Sequence, residues 1–169
     1  MKRALGYVLL LVLVGGCFWA GALGQQGKVS AGSRTGFRIF NPDTMAKPTA
    51  GYSQVAEVRS GKLVYIAGQV ALDKSGNLVG KEDFRAQVQQ VFENLKSAVE
   101  ASGGSFRDIV KLNFYCAESV DPAQIPAVRE VRDKYVNTAN PPTSTFVVVK
   151  RLVRPEWMIE VEAVAVVKQ

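Results

Sequence analysis

The chain has 169 residues, with 21 lysines and arginines, 15 aspartates and glutamates and no histidine, which gives a formal net charge of +6. Its 47% hydrophobic and 21% charged residues are typical of one globular domain and exclude a disordered chain. Because the sequence has no histidine, it cannot form a Ser/His/Asp or Cys/His catalytic set or a histidine-ligated metal centre. Any general base in this chain is therefore Asp, Glu, Lys or Tyr.

Residues 1–24 have the pattern of a leader for export. Lys2 and Arg3 form a charged start, and residues 8–14 are an unbroken run of valine and leucine. We therefore expect an exported protein, either periplasmic or a membrane-anchored lipoprotein of a bacterial envelope. Contact with the membrane is expected only through this leader or its lipid anchor.

Two processing signals compete in the leader. Residues 14–17 (Val-Gly-Gly-Cys) resemble a bacterial lipobox, in which Cys17 would be lipidated and become the mature N-terminus. Residues 22–24 (Ala-Leu-Gly) form a small-x-small site for ordinary signal cleavage. Alternatively, residues 4–24 stay uncleaved as an anchor, although their five glycines disfavour a stable helix. Cys17 would then be a small apolar residue of the leader.

Residues 25–36 are rich in glycine and serine, which predicts a flexible linker before a folded domain at 37–169. Loss of Lys2 and Arg3 leaves 19 basic and 15 acidic residues and a net charge of +4. These basic residues are scattered, and no basic stripe interleaved with aromatic residues is present. We therefore expect no nucleic-acid partner.

The pattern of apolar residues predicts, in chain order, strands at 37–40, 54–59 and 62–67, a helix at 82–101, a strand at 109–116, a helix from 122 to about 136, and strands at 144–149 and 158–167. This order, β-β-β-α-β-α-β-β, indicates an α+β fold. Ser60-Gly61 predicts a tight hairpin between the second and third strands. Cys116 lies in an apolar strand and is expected to be a small core residue.

Two carboxylates lie on one face of the last predicted strand. Glu160 and Glu162 are two residues apart, so both point away from the face that carries Val161. Carboxylates in an apolar strand need partners or a function, because burial of an unpaired charge is costly.

Six segments of the chain, in this order, resemble the Rid (YjgF, reactive intermediate deaminase) family: Gly51-Tyr52-Ser53, 66–70 (IAGQV), Asn94-Leu95, 108–111 (DIVK), 141–145 (PPTST) and 159–165 (IEVEAVA). The resemblance implies a chorismate-mutase-like α+β fold with a mixed sheet and two helices packed on one face. It also implies a homotrimer with clefts between subunits. The characterised enzymes hydrolyse reactive enamine or imine acids, such as 2-aminoacrylate, to keto acid and ammonia. They need no cofactor and no metal.

The resemblance also implies roles for individual residues. Glu160 matches the glutamate that positions the attacking water and is the candidate catalytic residue. Tyr52 matches the tyrosine of the cleft, and Gly68 matches a glycine whose backbone lines it. An imine is already electrophilic, so a positioned water and a carboxylate are enough for hydrolysis. Alternatively, Glu160 is a structural strand carboxylate and Tyr52 packs at a subunit interface.

Two matched positions depart from the family pattern. Ala67 replaces a frequent serine, and Thr143 replaces the arginine that binds the substrate carboxylate in deaminating members, directly before Ser144. Ala67, Thr143 and Ser144 remain candidate substrate-binding residues together with Tyr52 and Gly68. A threonine hydroxyl cannot replace a charged guanidinium fork. The sequence therefore favours an imine hydrolase with an altered substrate, or alternatively a non-catalytic small-molecule-binding trimer.

Mass spectrometry of the membrane-extracted protein tests the leader. We expect export to remove either residues 1–16 or residues 1–24. An acylated N-terminal Cys17 identifies a lipoprotein, and an N-terminal Gln25 identifies ordinary signal cleavage. An intact Met1 would contradict both processing signals.

Overall fold

The computed structural model describes residues 36–169. The strands are β1 (Phe37–Phe40), β2 (Val55–Val58), β3 (Lys62–Gln69), β4 (Ile109–Ala117), β5 (Thr143–Val149) and β6 (Ile159–Val167), and the helices are α1 (Phe84–Ala101) and α2 (Pro126–Arg132). Within residues 36–169, no helix has the length and hydropathy needed to cross a bilayer. The predicted leader, Cys17 and residues 25–35 of the predicted linker lie outside the described residues.

Four strands form the central sheet in the order β3-β6-β4-β5. β6 is antiparallel to both β3 and β4, whereas β4 and β5 are parallel, so the sheet is mixed. The connection between the parallel strands includes α2, as a parallel pair requires a crossover. The predicted α+β class and the predicted order of elements are confirmed.

The core lies between α1, α2 and one face of this sheet. Asp83 caps α1 by accepting a hydrogen bond from the backbone N–H of Ala86. The helix then buries one apolar face against the alternating side chains of β4 and β6. The buried residues of α1 on this face are Phe84, Val88, Val91, Phe92, Leu95 and Val99. Each such side chain stabilises the fold by about 1.5–3 kcal/mol when fully buried. Burial of this face therefore holds α1 on the sheet.

The predicted hairpin at Ser60-Gly61 is wrong. β2 pairs with β1 in a separate two-stranded sheet, and β3 pairs with β6. Gly61 has a φ of 113°, which lets the chain turn from the small sheet into the central sheet. The pairing of β1 and β2 is favoured because their apolar residues cover Val110 and Val166 on the sheet face opposite the helices.

The second helix is shorter than predicted. A 3₁₀ turn at Pro122–Gln124 precedes α2, which covers only Pro126–Arg132. Pro126 has no N–H to continue a helix from the preceding turn, so it begins a new one. Tyr135 and Val136 follow α2 and still pack against the core, as the apolar spacing indicated.

Cys116 is fully buried in β4, and burial raises the pKa of its thiol to about 11. Its predicted role as a core residue is confirmed. The thiol is therefore a packing group and not a nucleophile at neutral pH.

Hydrogen bonds of the Gln87 side chain connect α1 to the segment before β6. Its buried side-chain amide donates hydrogen bonds to the carbonyls of Gly80 and Glu156, and its oxygen accepts one from the N–H of Met158. We expect Gln87→Leu to lower the free energy of unfolding by about 2–3 kcal/mol, because it leaves the Glu156 carbonyl and the Met158 N–H without the partner that Gln87 provides.

Chemical denaturation measures this change, and Gln90→Leu is the matched control. Gln90 lies on the same helix but donates to the side chain of Asn94 alone. We expect the control to lose less than about 1 kcal/mol. Equal losses in the two variants would contradict the role of Gln87.

Candidate functional site

Glu160 lies on β6 and points to the sheet face opposite the helices. Its neighbours Ile159 and Val161 are buried in the core, so alternation along the strand places Glu160 on the other face. The carboxylate is partly buried and makes no hydrogen bond or ion pair within the described part of the chain. It is therefore free to accept a proton or to hold a water molecule.

Gly68 lies directly against this carboxylate. It belongs to an irregular stretch of β3, where the pairing with β6 shifts between Ile66 and Gln69. A Cβ atom at Gly68 would lie 1.9 Å from Glu160 Oε1, which is closer than any real contact. The structure thus brings Glu160 and Gly68 together, and the missing side chain leaves room for the carboxylate. Ala67 precedes Gly68 and is exposed.

Glu162 differs from Glu160 in having two partners on the neighbouring strand. Its Oε1 accepts hydrogen bonds from Asn113 Nδ2 at 2.6 Å and from the Tyr115 hydroxyl at 3.1 Å. The hydrogen bond to Glu162 raises the pKa of Tyr115, and the negative charge of Glu160 adds to the effect. Tyr115 therefore stays a donor at neutral pH, and the contacts of Glu162 are those of a structural carboxylate.

Thr143 begins β5, and its hydroxyl is occupied. Thr143 Oγ1 donates a hydrogen bond to the carbonyl of Val110 at 2.8 Å. The loop before β2 also contacts the start of β5. The N–H of Ser53 donates a hydrogen bond to the carbonyl of Pro142, and Ser53 forms an isolated parallel β-bridge with Thr143. This contact places Tyr52 beside the start of β5.

Tyr52 and Ser144 line a cavity of about 600 Å³ between α2 and the helix-facing side of β5. Phe114, Phe146 and Val128 provide much of its apolar wall. The rings of Phe114 and Phe146 stack with their centroids 5.9 Å apart. The volume lies within the usual range for small-molecule sites.

Two arginines of α2 also line this cavity and are absent from the candidates proposed on sequence. Arg129 and Arg132 contribute to the wall beside Tyr52. The sequence does carry a signal, because Arg132 follows Val128 by four residues and therefore belongs to the buried face of the helix. An arginine on a buried helical face is unusual enough to mark a site.

Within one chain the candidate residues form two groups. Glu160 and Gly68 lie together at one sheet face, whereas Tyr52 and Ser144 line the cavity on the helix side. Neither Glu160 nor Gly68 is part of the cavity wall. One subunit therefore does not bring all candidate residues into a single cleft.

Gly68→Ala tests the contact with Glu160. Gly68 does not need a positive φ, and the clashing atom is the end of a flexible side chain. We expect a stability change within about 1 kcal/mol, together with a displaced Glu160 carboxylate in a crystal structure of the variant. A carboxylate that keeps its place in the variant would contradict this geometry.

Comparison with known proteins identifies the fold and the family. A family described as Endoribonuclease L-PSP matches residues 43–167. A RutC family protein of Pyrococcus horikoshii is 37% identical over 128 residues, which are 75% of this chain and 95% of that protein. A 2-iminobutanoate/2-iminopropanoate deaminase of Dermatophagoides farinae is 30% identical over 131 residues, 78% of this chain and 97% of its own length.

Solved structures agree with this assignment. A conserved Rid-family protein of Yersinia pestis, of unknown function, superposes with a TM-score of 0.70 at 35% identity, covering 79% of this chain and 100% of that one. RidA of a Psychrobacter species superposes with a TM-score of 0.56 at 31% identity, covering 77% of this chain and 99% of that one. The predicted chorismate-mutase-like fold is thereby confirmed. The chain belongs to the Rid (YjgF) family.

Proposed function

We propose that the protein hydrolyses a small α-imino acid to the corresponding α-keto acid and ammonia. The observation that carries this proposal is the Glu160 carboxylate, which is partly buried, has no hydrogen-bond or ion-pair partner among residues 36–169 and faces the bare backbone of Gly68. A related protein named as a 2-iminobutanoate/2-iminopropanoate deaminase supports the choice of substrate class.

Hydrolysis of an imine requires few protein groups, because the imine carbon is already electrophilic. Water adds to the imine carbon while Glu160 accepts one of its protons, and the π electrons of the carbon–nitrogen bond move to the nitrogen, which takes a proton from solvent. In the resulting carbinolamine, protonated Glu160 returns its proton to the nitrogen and the hydroxyl loses its proton to solvent. The carbon–nitrogen bond then breaks, the carbonyl forms and ammonia leaves, so one water is consumed for each imine. Positioning of the water and the imine supplies most of the rate enhancement, because no covalent intermediate is required.

We place the reaction in a cleft completed by a neighbouring subunit of a homotrimer. Glu160 and the cavity beside Tyr52 lie on opposite faces of one sheet, so a second copy is needed to bring both kinds of residue together. The sheet face that carries Glu160 also exposes large apolar side chains: Leu63 at 47%, Tyr65 at 77% and Val147 at 39%. Burial of this face in an oligomer would stabilise it.

A second candidate function is binding of a small molecule without turnover. It is favoured by Thr143, whose hydroxyl is held by the carbonyl of Val110 and carries no charge for a substrate carboxylate. Such a protein would keep the cavity and the trimer and would lack deaminase activity.

Neither candidate includes a nucleic-acid partner. Lys150, Arg151 and Arg154 are the densest cluster of basic residues in the sequence. Nearby groups contact them: Lys150 pairs with Glu118, and Arg151 donates hydrogen bonds to the carbonyls of Leu152 and Val153. Arg154 lies over the ring of Trp157. The proposed location in a bacterial envelope is supported by the sequence of residues 1–24 alone.

Glu160→Gln tests the catalytic role. We expect hydrolysis of 2-iminobutanoate, generated in situ, to fall by about 10²–10⁴-fold, because the amide cannot accept a proton from water. Ammonia and 2-oxobutanoate release measure the rate, and light scattering measures the oligomeric state. Glu162→Gln is the matched control on the same strand and should change the rate only a few-fold.

A Thr143→Arg variant separates the two candidate functions. Turnover by the unaltered protein supports the imine hydrolase. If the unaltered protein shows no turnover and the Thr143→Arg variant does, the protein is a binding protein that keeps the fold of the enzymes. Unchanged turnover in Glu160→Gln would contradict the role given to that carboxylate.

A further inference from the structure

The cavity on the helix side carries its own positive charge, although Thr143 points to the opposite sheet face and is not part of its wall. Arg129 and Arg132 are three residues apart on α2 and both line the wall that contains Tyr52 and Ser144. Their guanidinium groups converge on the backbone of Gly51, where a Cβ atom would lie 2.9 Å from Arg132 Nη2 and 3.1 Å from Arg129 Nη2. The two cations therefore lie side by side at one end of the cavity.

The carboxylate of Asp133 contacts both arginines. Asp133 Oδ1 accepts hydrogen bonds from Arg132 Nε at 3.0 Å and from Arg132 Nη2 at 2.6 Å. Arg129 Nε lies 3.6 Å from Asp133 Oδ2, and the Nη groups of Arg129 have no acceptor within residues 36–169. The described residues of the cavity wall include no carboxylate. The local charge is therefore close to +1.

The two arginines differ in how firmly they are held. The side chain of Arg132 is 8% exposed and fixed by Asp133, whereas that of Arg129 is 56% exposed. Arg132 is buried and already paired with Asp133, whereas Arg129 has only one long contact to that carboxylate, so Arg129 offers the free donors. An incoming carboxylate would complete the pairing, because a guanidinium fork matches a carboxylate in shape and charge.

The rest of the cavity defines what accompanies that carboxylate. Phe114, Phe146 and Val128 form an apolar wall, and the hydroxyls of Tyr52 and Ser144 are its polar groups. A branched aliphatic or aromatic side chain would bury more of the apolar wall.

We propose that Arg129 and Arg132 form a carboxylate-binding subsite in this cavity, on the sheet face opposite the one to which position 143 points. Its ligands are α-imino or α-keto monocarboxylic acids with a branched aliphatic or aromatic side chain. The identification of the imino acid as substrate rests on the proposed function, whereas the carboxylate subsite does not.

Isothermal titration of the full chain with 4-methyl-2-oxopentanoate tests the subsite. The uncharged amide of the same acid is the matched probe, and we expect it to bind at least tenfold more weakly. We expect Arg129→Gln to raise the Kd for the acid about tenfold, a change of ~1.4 kcal/mol. Arg107→Gln removes an exposed arginine outside the cavity wall and should leave the Kd unchanged.

Asp133→Asn provides a test in the opposite direction. It removes the competing carboxylate and keeps both guanidiniums, so we expect the acid to bind several-fold more tightly. Equal binding of acid and amide, no binding of the acid, or a Kd unaffected by Arg129→Gln would overturn the proposal.

The two proposals fail separately. Binding that depends on Arg129, without imine hydrolysis, would overturn the proposed activity and support the subsite. Imine hydrolysis with the same rate and KM in Arg129→Gln would support the activity and overturn the subsite. Glu160→Gln should abolish turnover and leave the Kd for the acid unchanged.

Discussion

The position of β6 between β3 and β4 is the constraint on which the rest of the structure depends. Because side chains alternate along a strand, the residues that build the core beneath α1 also fix the opposite orientation of Glu160 and Glu162. A slip of one residue in this register would expose the core and bury both carboxylates. The hydrophobic effect therefore sets the direction of the candidate catalytic group.

Adjacent strands then give the two carboxylates different chemistry. Glu162 faces Asn113 and Tyr115 on β4 and is satisfied by their hydrogen bonds. Glu160 faces a glycine on β3 and has no partner within the described residues. Two glutamates two residues apart thus differ in their contacts: Oε1 of Glu162 is held by two hydrogen bonds, whereas the Glu160 carboxylate stays available to solvent or ligand.

The charge in the cavity follows from how a short helix meets the loop at Gly51. A helix with arginines three residues apart presents both side chains to the same neighbour. Gly51 has a φ of 67° and no side chain, so both guanidiniums approach its backbone closely. Charge at this end of the cavity is thereby supplied from α2, while the start of β5 supplies the hydroxyl of Ser144. Recognition of a carboxylate depends on where a cation lies in space, and different elements can provide it.

The sequence by itself determined the order of elements, the long helix and the opposite faces of Glu160 and Val161, because these follow from local periodicity. It also determined the family resemblance through residues such as Tyr52 and Gly68. Only the tertiary structure decided that β2 pairs with β1, that Gly68 contacts Glu160 and that Arg129 and Arg132 share the cavity. These features depend on contacts between residues far apart in the chain, and strand pairing and burial are set by the packing of the whole domain.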